Sequence, residues 1–156
     1  MEEEYWLPPP SIKFYEALGA IADGRVVMTG DTALVSSSSG GKAYDVIYDA
    51  AAQAITANDN GSYWKRFLGY PSIAFLLLEG ELAYEKKMGT LLKGIAWKDL
   101  NVRNKNDFDL TLREILASLA PTDAVALQAY VALLEKKAAD LHLRILPSKA
   151  KPPTGY

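Results

Sequence analysis

The sequence predicts an α+β domain in which a small antiparallel meander of about three strands packs against four to five helices. Two kinds of apolar spacing lead there. Residues 12–21 and 110–141 repeat their apolar side chains every three or four positions, as helices do, whereas Tyr44, Val46 and Tyr48 alternate, as a half-buried strand does. The third observation is the scale of the chain: 156 residues, 49% hydrophobic and 23% charged, suit one domain with a core of its own.

In chain order, residues 1–10 are expected to form an extended arm ending in the triple proline Pro8-Pro9-Pro10. Ser11 then caps a helix carrying Ile12, Tyr15, Leu18 and Ile21, with Gly24 as its stop. Residues 25–80 are predicted to hold the sheet and an apolar helix. Arg25 to Met28 and Thr32 to Val35 flank the turn pair Gly30-Asp31, a hairpin signal. The serine run Ser36 to Ser39 with Gly40-Gly41 makes a second, flexible turn before the alternating strand at 44–48. Gln53 to Ala57 adds a short fourth strand or, by its alanines, a helical piece. Asn58 to Ser62 is loop by chemistry, and Tyr63 to Leu68 allows one helical turn.

From Pro71 to Leu78 the run is apolar enough that the helix it forms must be central. Residues 82–146 read as a helical portion: a helix over 82–93 stopped by Gly94, an irregular stretch around Trp97 to Lys105, a helix capped by Asp107 and ended by Pro121, and a long amphipathic rod from Thr122 to about Arg144. That rod carries Leu127, Val131, Leu134, Ala138 and Leu141, with Tyr130 and Leu133 widening its buried face. Residues 147–156, rich in lysine and proline, are expected to be a disordered tail. All of it reads as a single domain, 1–156.

Composition narrows function by exclusion. No cysteine and one histidine rule out disulfides, thiolate nucleophiles and a nitrogen–sulfur metal site within one chain, so no metal or other cofactor is expected. The acidic opening Met1-Glu2-Glu3-Glu4 is unlike a secretory signal, and the longest apolar run falls far short of the roughly 20 residues that span a bilayer. A cytoplasmic protein without membrane contact is the expectation. The net charge of −2 conceals an acidic first part, about −6 over residues 1–62, and a basic remainder, about +4.

Catalytic motifs fail on inspection. Gly41-Lys42 lacks both the upstream glycine and the following hydroxyl of a phosphate-binding loop, and a calcium loop registered on Gly61 would put Phe67 where a glutamate belongs. His142 reads as a surface residue near a helix C-terminus. Glu79 with Glu81, and Asp107 with Asp109, are two apart and diverge on a helix. The chain is therefore expected not to be an enzyme.

The stretch from Thr32 to Leu82 resembles the SWIM family of zinc fingers. Ala33-Leu34-Val35-Ser36-Ser37 and Tyr44 to Asp49 look like that family's two strands, and Tyr70 to Leu77 looks like the opening of its helix. The resemblance covers about a third of the chain. Aligned on Asp59, the four ligand positions fall at Ile55, Ala57, Tyr70 and Ser72, none of which binds zinc in the family's manner. The resemblance implies a finger stripped of its metal, in which apolar packing replaces the roughly 10 to 16 kcal/mol that a structural zinc contributes.

It also implies nucleic-acid binding, and the residues offer candidates. Lys86, Lys87, Lys93, Lys98, Arg103 and Lys105 are interleaved with Trp97, and Lys65 and Arg66 follow Tyr63-Trp64. Cations attract the phosphate backbone and rings stack on bases. The function expected is a non-catalytic binding module, an accessory to nucleic-acid processing. The alternative is a self-assembling or partner-binding structural subunit, a homodimer through the last helix or the Tyr5-Trp6-Leu7 arm, with no nucleic-acid contact.

Overall fold

The structure, a computed structural model, describes residues 4–155. The opening residues Met1 to Glu3 and the final Tyr156 of the expected tail lie outside the described residues.

The α+β architecture is observed, with a larger sheet than the three strands expected. Helix α1 spans Ile12–Ala22, and Gly24 beyond it has φ +70°, the left-handed turn the sequence anticipates. Strands β1 (Val26–Thr29) and β2 (Thr32–Ser36) form a hairpin whose two-residue loop begins with Gly30 at φ +59°. Strand β3 (Ala43–Asp49) buries Tyr44, Val46 and Tyr48 on one face. β4 (Ala54–Ala57) pairs with β3, and β5 (Arg144–Ile145) pairs parallel with β4, giving the order β1-β2-β3-β4-β5.

β4 is buried at all four positions. The reason is cover on every side: the Trp6 indole donates to the Ile55 carbonyl at 2.8 Å, and Leu146 N–H donates to the same carbonyl at 3.1 Å. Small and β-branched residues fit such a position, and no alternation marks it in the sequence. The arm packs within the chain too, with Tyr5 bridged to Arg144 and Leu7 to Phe67. The Tyr5 ring stacks on that of His142, an exposed residue, at 3.9 Å.

Helix α2 (Tyr70–Glu79) takes Pro71 in its first turn, where a missing N–H costs nothing. It crosses strands β1 to β4 and lies against α1. Ile73, Ala74, Phe75 and Leu76 are fully buried there with Phe14 and Leu18 of α1, and with Val35, Val46 and Ile55 of the sheet. Of the four residues that the resemblance aligns with zinc ligands, Ile55 and Ala57 lie on β4, while Tyr70 and Ser72 lie in the first turn of α2. Among the described residues no cluster of histidine, cysteine, aspartate and glutamate could hold a metal ion, and no helix is long and apolar enough to cross a membrane.

Three local expectations need correction. The helix expected over 82–93 is confined to α3 (Lys86–Thr90), because Leu82 is drawn into the core and the Tyr84 ring packs against Gly89, holding 82–85 out of the helix. The stretch expected to be irregular is instead α4 (Trp97–Arg103), whose Trp97 is 4% exposed. Helices α5 (Phe108–Ser118) and α6 (Pro121–Leu141) follow, with the Asp107 carboxylate accepting from Leu110 N–H at 3.1 Å as an N-cap. On α6, Leu127, Tyr130, Val131 and Leu134 are buried, but Leu133 is 52% exposed, so the buried face is narrower than expected.

Candidate functional site

A cleft of about 480 Å³ opens where α1, α4, the start of β3 and the segment after β4 meet. Its depth follows from burial. Glu16, Ser37, Tyr44, Asp59, Trp97 and Asn101 are buried, whereas Asn60, Trp64, Lys65, Val102 and Asn106 at its mouth are exposed.

On α1, Lys13 and Glu16 are three apart and share a face, with Lys13 Nζ 3.1 Å from Glu16 Oε2. Glu16 is 3% exposed, and its Oε1 accepts from Asn101 Nδ2 at 2.9 Å. That bond fixes the amide's orientation, since a carboxylate only accepts. It leaves Asn101 Oδ1 buried and without a partner. Lys13 Nζ also sits 4.5 Å from the centroid of the Phe108 ring. Arg25 is held by Asp23 Oδ2 at 3.2 Å and by the Ser36 carbonyl at 2.6 Å.

Asp59 lies two residues before a single π-turn, Gly61–Lys65. Its Oδ1 accepts from Ser62 Oγ at 2.7 Å and its Oδ2 from Ser62 N–H at 3.3 Å. No salt bridge reaches it among the described residues. Burial pushes its carboxyl above the ordinary range, opposed by the Ser62 bonds, then by its own backbone N–H and the more distant charge of Lys13. Beside it the Tyr44 and Tyr70 rings meet edge to face at 6.1 Å. Burial, then the charges of Asp59 and Glu16, pushes the Tyr44 hydroxyl up to about 12, and burial raises Tyr70 further. Both phenols stay protonated and remain donors at neutral pH.

The π-turn projects Trp64, 69% exposed, to the mouth beside Lys65, and Tyr63 supports that indole edge to face at 4.6 Å. Across the opening, α4 supplies Trp97 and Lys98. The Trp97 indole nitrogen is turned toward Gly19, where a β-carbon would stand 2.7 Å away, and it has no hydrogen-bond partner. The Ser36 to Ser39 run is more than a flexible loop. Ser37 is 5% exposed, and Ser38 Oγ accepts from Lys98 N–H at 2.8 Å, tying the β2–β3 turn to the start of α4.

Of the sequence-predicted contacts, the cleft gathers Lys65, Trp97 and Lys98. Lys86, Lys87, Lys93, Arg103 and Lys105 lie elsewhere on α3, α4 and the turns after them, and Arg66 is paired with Glu4, Arg103 with Glu114. Trp97 is an inner wall and not an exposed platform; Trp64 has that place. Sequence reasoning missed Lys13, Glu16, Arg25, Tyr44, Asp59 and Asn101. The one local signal was Asp59 three residues before Ser62, the spacing of a side-chain cap. A smaller cavity of about 170 Å³ between the arm and α6 is lined chiefly by Trp6, Leu7, Phe14, Leu68 and Leu143.

A family model described as Uncharacterised conserved protein UCP014422 matches residues 6–144. No curated protein and no solved structure matches the chain.

Proposed function

The chain belongs to the family of Uncharacterised conserved protein UCP014422, whose match takes in every residue of the cleft, and we propose that this domain is a non-catalytic binding module for single-stranded nucleic acid. The cleft receives one unstacked nucleotide, with the ring between aromatic walls and the phosphate at the lysine-bearing mouth. The observation that carries this reading is the convergence of two Trp-Lys pairs, Trp64-Lys65 and Trp97-Lys98, on one opening from segments 33 residues apart.

The chemistry of each part supports it. Base–aromatic stacking contributes about 1–3 kcal/mol per base and needs an exposed ring, which Trp64 provides. Lysines at the mouth attract phosphate and make binding depend on salt. A duplex cannot place a base in a cleft of this depth without unpairing it, which costs a few kcal/mol. Filter binding of single-stranded and duplex oligonucleotides at two salt concentrations tests the proposal. Salt-sensitive retention of the single strand above the duplex is expected; equal retention of both, or none, overturns it.

The alternative of a self-assembling subunit has its own support on the open face of the sheet. Val27 and Leu34 are cross-strand partners there and are 59% and 43% exposed, beside Ile47 at 42%, and β1 is an edge strand. Light scattering at dilute concentration separates the readings, since a strict monomer removes this one.

A further inference from the structure

We infer that the cleft is selective for guanine, with the Asp59 carboxylate accepting from the base's two adjacent N–H donors; this rests on the nucleotide-binding reading above. Deep in the cleft, Asp59 has no cation paired with it among the described residues, and Asn101 Oδ1 is a buried acceptor with no donor. Glu16 accepts through both oxygens, from Lys13 and Asn101. The inner end of the cleft is thus rich in acceptors, of which Asn101 Oδ1 is unpaired and Asp59 accepts fewer bonds than a carboxylate can.

Among the common bases, guanine alone presents two adjacent donors on its pairing edge, the ring N1–H and the exocyclic amine. Adenine and cytosine present one donor beside an acceptor, and uracil sets its donor between two acceptors. Two parallel donors match one carboxylate in the paired geometry that makes such contacts strong. Ser62 supplies one bond to each Asp59 oxygen and the residue's own backbone N–H a further contact, against the roughly four that a carboxylate accepts, so a ligand's two donors compete with that last contact alone. The phenols of Tyr44 and Tyr70 are donors in the same wall, available to the guanine carbonyl. The outer end supplies Lys65 for the phosphate and Trp64 for the ring face.

The decisive comparison changes the ligand and leaves the protein intact. Tryptophan fluorescence or calorimetry is recorded on the full chain with guanosine, inosine, adenosine, cytidine and uridine monophosphates. In parallel, single-stranded pentauridylates carry guanine or hypoxanthine at the centre, and tighter binding of the pentamer than of the monophosphate identifies a strand as the source. In either format, loss of the exocyclic amine is expected to weaken binding about ten-fold or more, the worth of one hydrogen bond to a charged acceptor. Asp59→Asn, which keeps an oxygen for Ser62 but replaces the other acceptor by a donor, is expected to bring guanine and hypoxanthine within about two-fold of each other. Equal affinity for guanine and hypoxanthine in the unaltered protein, or tighter binding of adenine, overturns the guanine assignment alone. Failure of every mononucleotide and oligonucleotide to bind overturns the nucleotide reading with it.

Discussion

The backbone of Gly69 lies directly against the carboxylate of Asp59, so closely that a β-carbon at position 69 would overlap it. Gly69 is the N-cap of α2, so the carboxyl of Asp59 rests at the positive end of the core helix. The domain's central packing and its cleft thus meet at one contact.

Gly69→Ala is accordingly expected to destabilise the domain by about 1–3 kcal/mol, the usual cost of overpacking. Urea unfolding measures it. A variant as stable as the parent would show that the contact relaxes freely.

The contribution of Asp59 to stability across the acid range has a definite sign. Its folded-state pKa is raised above the ordinary 3.8, so over that interval the folded state binds more protons than the unfolded one. Its contribution is fully present below about pH 3.8 and is lost as pH rises through the raised value. Relative to Asp59→Asn, the parent should lose stability on going from pH 4 toward neutrality. Parallel urea titrations of the two proteins across that range provide the check, and curves that stay a constant distance apart count against it.

Two buried phenols contribute to the alkaline limb. Tyr44 and Tyr15 are both pushed from 10.0 up to about 12, by burial first and then by nearby carboxylates. Their contribution holds below pH 10 and disappears as pH climbs through about 12. Phenolate absorbance followed together with circular dichroism should show these two groups ionising only as the fold is lost.

The two cleft tryptophans should separate binding from stability. Trp64→Ala removes a ring that is 69% exposed, and is expected to abolish single-strand retention while leaving the melting temperature within a degree or two, as surface substitutions do. Trp97→Ala empties a site that is 4% exposed and should cost about 3–5 kcal/mol.

Packing around α2 should hold the domain without an ion. Phe75, fully buried and 5.4 Å from the Tyr48 ring, is expected to cost about 3–5 kcal/mol on replacement by alanine. A chelator is expected to leave the melting temperature of the parent unchanged, and a chelator-induced fall would require a metal that this packing does not need.

The sequence by itself determined the elements whose residues report their own surroundings. Alternation at Tyr44, Val46 and Tyr48, the hairpin glycine Gly30, the Asp107 cap and the apolar run after Pro71 each encode a local preference that the fold keeps. Tertiary structure alone decided the rest. β4 is a strand because the arm and β5 cover it, not because Ala54 to Ala57 demand it. Glu16 and Asn101, 85 positions apart, share a hydrogen bond that no spacing rule anticipates. Asp59 sits in a stretch that reads as solvated loop, yet it is 6% exposed. A side chain's period along the chain records which face it takes; whether a charged group ends in water or under a neighbouring helix depends on chains of contact that close only when distant segments pack. Hence the scaffold was legible from the residues, and the cleft became so only once α1, α4 and the π-turn had met.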